Sequence, residues 1–444
     1  MGLVYPLPTE NERVQGKEVQ LESLLGKTVL VIGGGGREHA IVDALSRSPQ
    51  VSKIYCAPGN AGIGNQAFNV ALKDTDVEGL KSFAIENNVD LTVVGPESAL
   101  AAGIVDAFRA AGLKIFGHTQ AATAIESSKE FAKKLMDKYG IPTAGYRSFT
   151  DYEEAVAYVS ARPFPAVLKY DGLAAGKGVV IAEDLEAAKA ALSDMLLDHS
   201  FGQGKVVVED FLTGPEFSFL CFVDGERVYP MPLSQDHKRA FDGDKGPNTG
   251  GMGAYTGLPF ITEEDEAFAY KEILCKAAQA MVAEGLPLSG VLYGGLTKTP
   301  QGINVIEFNA RFGDPETEVV LPRLESDIYD IFESVATGRE LEEAPVWAPG
   351  VTLGVVLASK GYPGHYEKGF AIGGLDQVDA QVYHMGTTVK DGQVLTAGGR
   401  VLMVVSSGKD LADAREKVYA EVRKISCDNL FYRNDIAHLA FEKI

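Results

Sequence analysis

The segment Val305–Glu318, VIEFNARFGDPETE, carries the side chains best suited to chemistry, because polar and apolar residues alternate along its first half. Residues two apart on a β-strand share a face. One face is therefore predicted to carry Glu307, Asn309 and Arg311. The other is predicted to be a buried wall of Ile306, Phe308 and Ala310. A carboxylate beside an amide oxygen suits a hard cation such as Mg²⁺, and a neighbouring arginine suits a phosphate or carboxylate. The alternative is a salt-bridge network at a strand end with no role in catalysis.

The composition indicates a globular protein of several domains. At about 100–200 residues per domain, the 444 residues correspond to roughly two to four domains. The chain holds 61 acidic and 41 basic residues, a net charge of −20. This balance argues against general binding of nucleic acid or of an anionic membrane. We therefore expect neither partner, although a small phosphorylated ligand needs only local positive charge.

Cysteine usage and the N-terminal segment favour a cytoplasmic location. The four cysteines are far apart and have no metal-binding spacing, so inert core thiols in a reducing compartment are expected. No apolar run reaches about 18 residues, the length that a transmembrane helix needs. Residues 1–26 contain four acidic and two basic residues and no apolar core, so they are expected to be an N-terminal extension rather than a targeting peptide.

Strands that alternate with helices over residues 27–125 predict a parallel sheet, which binds ligands beyond the carboxyl ends of its strands. Three of these ends carry GGGGRE, PGNAG and GPE. The first resembles a dinucleotide-binding turn, but Glu38 stands where the third glycine is required, which weakens a redox function. The remaining glycine turn can offer backbone N–H groups to an anion. The three ends together predict a site for a small phosphorylated ligand, with a helix continuing from the third end to Gly112.

A second unit begins near residue 126. Lys129 lies at the start of a predicted helix, and Lys169 lies on a predicted strand that leads into the loop Asp171–Gly178, DGLAAGKG. This loop joins two strands and has the wrong spacing for a P-loop, so it is predicted to cover phosphates as a β-hairpin; a plain flexible hairpin is the alternative. A capping box at Thr150–Glu153 predicts the start of another helix.

Two further segments complete the second unit. The long polar segment Ser234–Tyr255 has no regular period, and loops of this length are usually functional or disordered. A helix is predicted over Pro322–Thr337. The acid- and proline-rich stretch Leu341–Gly350 indicates a linker to a small α+β domain.

In chain order, the motifs GGGGREHA, PGNAG, GPE, KYDGLAAGKGV, SQDHKRAFDGDKGPNTGGMGAY and EFNARFGDPET resemble those of the phosphoribosylamine–glycine ligase (glycinamide ribonucleotide synthetase) family, within the ATP-grasp superfamily. The resemblance covers about residues 27–444. It implies a multidomain α/β and α+β fold with an N-terminal parallel-sheet domain for a phosphosugar (27–125). An ATP-grasp domain (126–340, lid about 145–213) and a C-terminal α+β domain (341–444) would follow.

The resemblance also implies a reaction, the ATP-dependent ligation of glycine to 5-phosphoribosylamine through a glycyl phosphate, a step of de novo purine biosynthesis. The cofactors implied are ATP and Mg²⁺ or Mn²⁺, with Glu307 and Asn309 as metal ligands. The residues implied at the reacting groups are Lys129, Lys169, Arg311 and Asp314. The ATP site would comprise Lys129, Lys169, Gly172, Gly176, Lys177, Gly178, Glu209, Asp210, Phe211, Leu212 and Glu216. The glycine and phosphoribosylamine sites would comprise Gly35, Arg37, Glu38, Gly59, Asn60, Gly62, Glu97, Asp236, Lys238 and Asn248.

The chain departs from the wider superfamily at one strand. Many ATP-grasp enzymes have a second acidic metal ligand there, whereas this chain has Leu292–Leu296, LYGGL, without an acid. The alternatives to the implied function are another ATP-grasp carboxylate–amine ligase, a biotin-carboxylase-like enzyme, and a nucleotide-binding protein without catalysis. A monomer or a weak homodimer is expected.

Overall fold

The computed structural model describes residues 26–172 and 178–442. The N-terminal extension before Gly26 lies outside the described residues. So do two residues predicted to contact ATP, Gly176 and Lys177.

The N-terminal unit contains the predicted parallel sheet, with strand order β3-β2-β1-β4-β5. Its strands are β1 (Lys27–Gly33), β2 (Val51–Pro58), β3 (Phe68–Asn69), β4 (Leu91–Val94) and β5 (Ile115–Phe116). Its helices are α1 (Gly36–Ser46), α2 (Val77–Glu86), α3 (Glu97–Ala101) and α4 (Ile104–Ala110). The predicted helix that continues to Gly112 is two helices, because Gly103 between them has a φ of +80° that a continuous α-helix does not permit.

The second unit starts with two helices, α5 (Ala124–Ser127) and α6 (Lys129–Tyr139), and continues into an antiparallel sheet that we call the lid. The lid strands, in spatial order β6-β9-β7-β8, are β6 (Tyr146–Phe149), β7 (Ala166–Tyr170), β8 (Val179–Ala182) and β9 (Val206–Asp210). They pack against α7 (Tyr152–Ser160) and α8 (Leu185–Leu196) around their own core. The predicted capping box at Thr150 is wrong by one residue, since the Asp151 carboxylate accepts the Glu154 N–H and caps α7.

A sheet of ten strands connects the second unit to the C-terminal residues, with the main order β17-β16-β10-β12-β15-β18-β22-β19. Its strands are β10 (Glu216–Asp224), β11 (Arg227–Pro230), β12 (Ser234–Asp236), β15 (Gly253–Thr256), β16 (Ser289–Thr299), β17 (Gly302–Asn309), β18 (Val351–Ser359), β19 (Gln381–His384), β22 (Arg400–Gly408) and β23 (Leu430–Phe431). Two hairpins lie outside it: β13 (Arg239–Phe241) with β14 (Lys245–Asn248), and β20 (Thr387–Lys390) with β21 (Gln393–Thr396). These parts confirm the predicted fold class.

Helices cover the faces of the large sheet. The α-helices are α9 (Glu263–Phe268), α10 (Lys276–Ala283), α11 (Thr317–Val320), α12 (Ile328–Thr337), α13 (Leu411–Val422) and α14 (His438–Phe441). A π-helical segment, Ala269–Cys275, joins α9 to α10. The 3₁₀ turns are Ile63–Asn65, Leu321–Arg323 and Leu375–Gln377.

Two segments differ from their predicted structure. The segment Ser234–Tyr255 contains the four strands β12 to β15 rather than an irregular loop, because β12 and β15 pair with β10 and β18. Those partners are distant along the chain, so short strands of this kind leave no local period. The helix predicted from Pro322 begins at Ile328, since Asp327 caps it by accepting the Tyr329 N–H.

The four cysteines are free thiols, as expected. Within the described ranges, no helix combines the length and the apolar character that a membrane crossing requires.

Arg433 anchors the hairpin β13–β14 to the C-terminal residues. Its side chain is 0% exposed, and its Nη1 donates to Asp244 Oδ1 at 2.8 Å and to Arg239 O at 3.1 Å. Its Nε pairs with Asp435 Oδ1 at 2.7 Å. A buried cation therefore ties the hairpin to the C-terminal residues.

Replacing Arg433 by methionine is expected to destabilise the protein by about 1–3 kcal/mol, because two partly exposed carboxylates lose hydrogen bonds from a charged donor. The midpoint of thermal unfolding measures the loss. Arg423→Met, which removes an exposed arginine of the same region, is the control and should leave the midpoint unchanged. Equal midpoints for the two variants would contradict the anchoring role.

Candidate active site

A cleft of about 1230 Å³, including its open mouth, lies between the lid, the large sheet and the segment Ser234–Tyr255. The predicted residues that line it are Lys169, Glu209, Asp210, Phe211, Leu212, Glu216, Asp236, Lys238, Asn248, Glu307, Asn309, Arg311 and Asp314. The predicted residues in the described part of the chain that do not line it are Lys129, Gly172, Gly178, Gly35, Arg37, Glu38, Gly59, Asn60, Gly62 and Glu97. The fold thus collects most of the predicted nucleotide and metal residues into one space.

The strand that carries Glu307 is bulged, which corrects one prediction. Gly295 pairs with Glu307 while Leu296 pairs with Val305, so Ile306 is the extra residue of the bulge. Ile306 therefore lines the cleft instead of joining the buried wall, whereas Phe308 and Ala310 are buried as predicted. A bulge shifts the alternation of side chains, and a single sequence does not reveal it.

Lys169 is fixed by a buried charge cluster. Its Nζ lies 3.0 Å from Glu209 Oε1 and donates to the Ile306 carbonyl at 2.9 Å. The other Glu209 oxygen lies 2.9 Å from Lys133 Nζ. All three side chains are buried. Glu209 therefore holds two lysines at once.

Lys133 was not predicted from the sequence. It lies four residues after Lys129 on α6, and residues at that spacing share a helix face, so its position was a usable signal. Burial lowers the pKa of Lys133 to about 8, against the opposing effect of the Glu209 carboxylate. Its Nζ also donates to Thr143 Oγ1 at 2.8 Å.

Glu307 is surrounded by cations. Lys129 Nζ lies 3.7 Å from its carboxylate. Although burial opposes ionisation, the charges of Lys129, Lys169 and Lys238 lower the pKa of Glu307 to about 2. Glu307 is therefore an ionised acceptor at any physiological pH.

The chemistry of this donor set fits a divalent ion. Asn309 lies two residues along the strand from Glu307 and also lines the cleft, so a carboxylate and an amide oxygen face the same space. Residues 26–172 and 178–442 contain no group of three or more His, Cys, Asp or Glu side chains arranged for a metal. A hard cation at Glu307 and Asn309 would therefore take its remaining ligands from phosphate oxygens and water.

Arg311 connects the cleft to the N-terminal unit. Its Nε lies 3.1 Å from Glu97 Oε2, at the end of β4, and its Nη2 lies 3.3 Å from Glu126 Oε1. The other Glu126 oxygen accepts the Ala310 N–H at 2.7 Å. Glu126 was not predicted, and its proximity to Arg311 is a product of the fold.

The glycine turn after β1 faces the same region. The Glu38 carboxylate accepts the Gly35 N–H at 2.7 Å and pairs with Arg37 Nε at 2.6 Å. A Cβ added to Gly35 would lie 3.4 Å from Asp314 Oδ2, so the turn approaches the cleft at Asp314. The Gly35 N–H, which was predicted to bind an anion, is thus already hydrogen-bonded to the Glu38 side chain of α1.

The second glycine turn is built around Asn60. Its amide nitrogen donates to Gly34 O and His384 O, and its Oδ1 accepts the N–H groups of Gly62 and Ile63. The neighbouring His39 accepts the His384 N–H at 2.8 Å. Burial lowers the pKa of His39 to about 3, so it packs there as a neutral residue.

The strand that lacks an acid, Leu292–Leu296, still has a carboxylate beside it. The Tyr293 hydroxyl donates to Glu316 Oε1 at 2.9 Å, and Ser218 Oγ donates to the same oxygen at 3.2 Å. Tyr293 and Glu316 both line the cleft. Burial and then Asp236 raise the pKa of Glu316. The sequence offered no signal that Glu316 would face this strand.

The parallel N-terminal sheet, the antiparallel lid and a cleft lined by lysines, a carboxylate and an amide define an ATP-grasp enzyme. Models of the phosphoribosylglycinamide synthetase family match three segments: the N domain over residues 27–126, the ATP-grasp (A) domain over 127–317 and the C domain over 352–439. The chain belongs to this family. The resemblance found in the sequence is thereby confirmed.

Relatives support the assignment over their whole length. A phosphoribosylamine–glycine ligase of Listeria innocua is 52% identical over 414 residues, which cover 92% of this chain and 98% of the relative. The ligase of Salmonella typhimurium is 47% identical over 424 residues, 94% and 99% of the two chains.

Solved structures agree with the fold. The crystal structure of phosphoribosylamine–glycine ligase from Thermotoga maritima has a TM-score of 0.81 at 31% identity and covers 92% of this chain and 99% of its own. The biotin carboxylase domain of Hydrogenobacter thermophilus 2-oxoglutarate carboxylase, solved with ADP, magnesium and bicarbonate, has a TM-score of 0.72 at 15% identity and 94% coverage of both chains. Similarity at that identity concerns the fold alone.

Glu318, four residues after Asp314, is a buried carboxyl group. Its side chain is 0% exposed, and neither oxygen has a hydrogen-bond partner among the residues that the structure describes. A Cβ added to Gly36, at the start of α1, would lie 2.4 Å from Glu318 Oε1. Burial and then Asp314 raise the pKa of Glu318 well above its usual range, although the charge of Arg400 acts in the opposite direction.

A raised pKa in the folded state means that Glu318 costs stability as the pH rises above about 4.3, the value in an unfolded chain. Glu318→Gln removes this penalty. The variant should become progressively more stable than the wild type as the pH is raised, by about 1–3 kcal/mol near pH 8. Thermal unfolding across a pH series measures the difference, with exposed Glu325→Gln as control. A constant difference at all pH values would contradict a raised pKa of Glu318.

Proposed function

We infer that this chain is a phosphoribosylamine–glycine ligase, which joins glycine to 5-phosphoribosylamine at the expense of ATP in purine biosynthesis. The observation that carries the inference is the contact of Arg311 with Glu97. This contact places the end of β17, the strand that carries Glu307 and Asn309, next to the carboxyl end of a strand of the parallel sheet. A ligase must activate one substrate and hold the second substrate next to it. Arg311 lies where the cleft meets the N-terminal unit, between the two proposed sites.

The nucleotide is proposed to lie under the lid. Phe211 and Leu212 offer an apolar wall for the purine, and Glu216 offers a carboxylate for the ribose hydroxyls. Lys169, held by Glu209 and by the Ile306 carbonyl, presents a fixed charge to the phosphates. A cation that is already oriented stabilises developing phosphate charge without further reorganisation. The loop Asp171–Gly178 is proposed to cover the phosphates and exclude water.

Glu307 and Asn309 are proposed to hold the divalent cation, Mg²⁺ or Mn²⁺. The ion would neutralise phosphate charge when bound. Lys129, whose Nζ lies 3.7 Å from the Glu307 carboxylate, would add a second positive charge for the phosphates.

Glycine and phosphoribosylamine are proposed to bind where the cleft meets the N-terminal turns. Arg311 and Lys238 provide positive charge for the glycine carboxylate, which attacks the γ-phosphate to give glycyl phosphate. The turns at Gly35 and Gly59, with Arg37, are proposed to hold the phosphosugar so that its amine attacks the glycyl carbonyl. Asp236, Asn248 and Asp314 are proposed to order this boundary.

The remaining assignments of the sequence are proposed on the same basis. The domains are 27–125, 126–340 with its lid at about 145–213, and 341–444. The net charge of −20 supports an enzyme without nucleic-acid or membrane partners, and reduced cysteines support a cytoplasmic location. A monomer or a weak homodimer is proposed.

The reaction is tested by substrate dependence. ADP release by the purified chain should require both glycine and 5-phosphoribosylamine, and glycinamide ribonucleotide should form in a 1:1 ratio with ADP. Bicarbonate and biotin are the comparison substrates, because biotin carboxylases share the fold. Turnover that depends on biotin and not on glycine would refute the proposal, and ATP binding without product would favour a non-catalytic binder.

Glu307→Ala is expected to lower kcat by about 100-fold or more, since it removes the ionised carboxylate that is proposed to hold the cation. Steady-state ADP release measures the loss, and circular dichroism checks that the variant is folded. The control is Glu343→Ala, at an exposed glutamate of the linker. Turnover of the Glu307 variant at the control rate would rule out the metal role.

A further inference from the structure

The strand β22 of the C-terminal region begins with an arginine that reaches the cleft wall. Arg400 pairs with Ala358 of β18, whereas Leu402 pairs with Leu357, so Val401 is the extra residue of a bulge. Bulges bend a strand and change the direction of the neighbouring side chains, and they are frequent beside active sites. Arg400 lies outside all of the sequence motifs described above, so it was not predicted as a site residue.

Arg400 binds two segments of the cleft wall at once. Its Nη1 donates to the Gly250 carbonyl at 2.8 Å and to the Asp314 carbonyl at 3.0 Å, and it lies 3.0 Å from Asp314 Oδ1. The Gly250 N–H donates to the Tyr362 hydroxyl at 3.0 Å, so Gly250 is held through both of its backbone groups. Gly250 and Asp314 line the cleft. Arg400 thus acts on the site through these two residues.

The packing at Gly250 shows that the guanidinium is closely fitted. A Cβ at this position would lie 2.9 Å from Arg400 Cζ, so a side chain at residue 250 would displace the guanidinium. The Arg400 side chain is 19% exposed. Although burial opposes the charge, the Asp314 carboxylate raises the pKa of Arg400, which therefore remains a cation.

We propose that Arg400, assisted by Tyr362, is a positioning residue for the second half of the reaction, in which the amine takes up the activated glycine. The proposal rests on the proposed function above. Asp314 lies between the cleft and the Gly35 turn, where the two substrates are proposed to meet. Bound geometry accelerates a two-substrate step strongly, and a displacement of about 1 Å can cost about 100-fold.

If Gly250 and Asp314 are no longer held in place, glycyl phosphate should react with water instead of with the amine. Water would attack the glycyl carbonyl, the bond from that carbon to the phosphate oxygen would break, and glycine and phosphate would be released. ATP would then be consumed without formation of glycinamide ribonucleotide. The ratio of ADP to product therefore reports on Arg400 in a way that a general loss of stability does not.

The test compares Arg400→Met and Tyr362→Phe with Arg423→Met, an exposed arginine of the same region. For Arg400→Met, kcat/KM for phosphoribosylamine is expected to fall by about tenfold or more, the usual effect of a lost charged hydrogen bond. The KM for ATP should stay within about twofold of wild type, well short of the tenfold that 1.4 kcal/mol represents. The ADP:product ratio should rise above 1:1. Tyr362→Phe should also lower kcat/KM for phosphoribosylamine and raise the ADP:product ratio, but by smaller amounts. If Arg400→Met does not fold, the result for Tyr362→Phe tests the proposal.

Two results would overturn the proposal. The first is 1:1 coupling with an unchanged kcat/KM for phosphoribosylamine. The second is an equal loss for all three substrates, accompanied by a lower unfolding temperature, which would indicate a structural role. A wild-type enzyme that releases ADP but forms no glycinamide ribonucleotide would instead contradict the proposed function itself.

Discussion

The site depends on pairing each cation of the cleft with a carboxylate of fixed position. Lys169 has Glu209, Lys238 has Asp236, and Arg311 has Glu97 and Glu126. Beside the cleft, Lys129 has Glu307. A cation taken out of water without a partner is costly, whereas a paired and hydrogen-bonded one is held in a single place. Anionic substrates can then bind without drawing the lysines out of position.

The C-terminal region is part of this construction rather than an independent addition. The pairing of β15 with β18 continues the large sheet across the linker. Arg433 holds the hairpin β13–β14, and Arg400 holds Gly250 and Asp314. A substitution of either arginine therefore changes the cleft indirectly, because it moves the residues that line the cleft.

The N-terminal turns show how a glycine motif can be occupied by its own chain. The carboxylate of Glu38 bonds the Gly35 N–H at the start of α1, where a negative charge is favoured by the helix dipole. Asn60 uses its whole amide to shape the second turn. Some backbone N–H groups of these turns are therefore already hydrogen-bonded within the chain. A phosphosugar proposed at this edge would bind Arg37 and the N–H groups that are still free.

The sequence by itself determined the alternation of strands and helices in the N-terminal unit, the family, and the cluster of candidate residues on β17. These follow from local periodicity and residue type, since Glu307 and Asn309 lie two apart on one strand. The tertiary structure alone decided the partners. Ala310 meets Glu126 across 184 residues and Gly250 meets Arg400 across 150, and no local pattern encodes such a meeting. The bulge at Ile306 is likewise set by the register with β16, which is a property of the pair of strands and not of either one. For that reason the chemistry of the site could be inferred from residue types, while the residues that hold it in place could not.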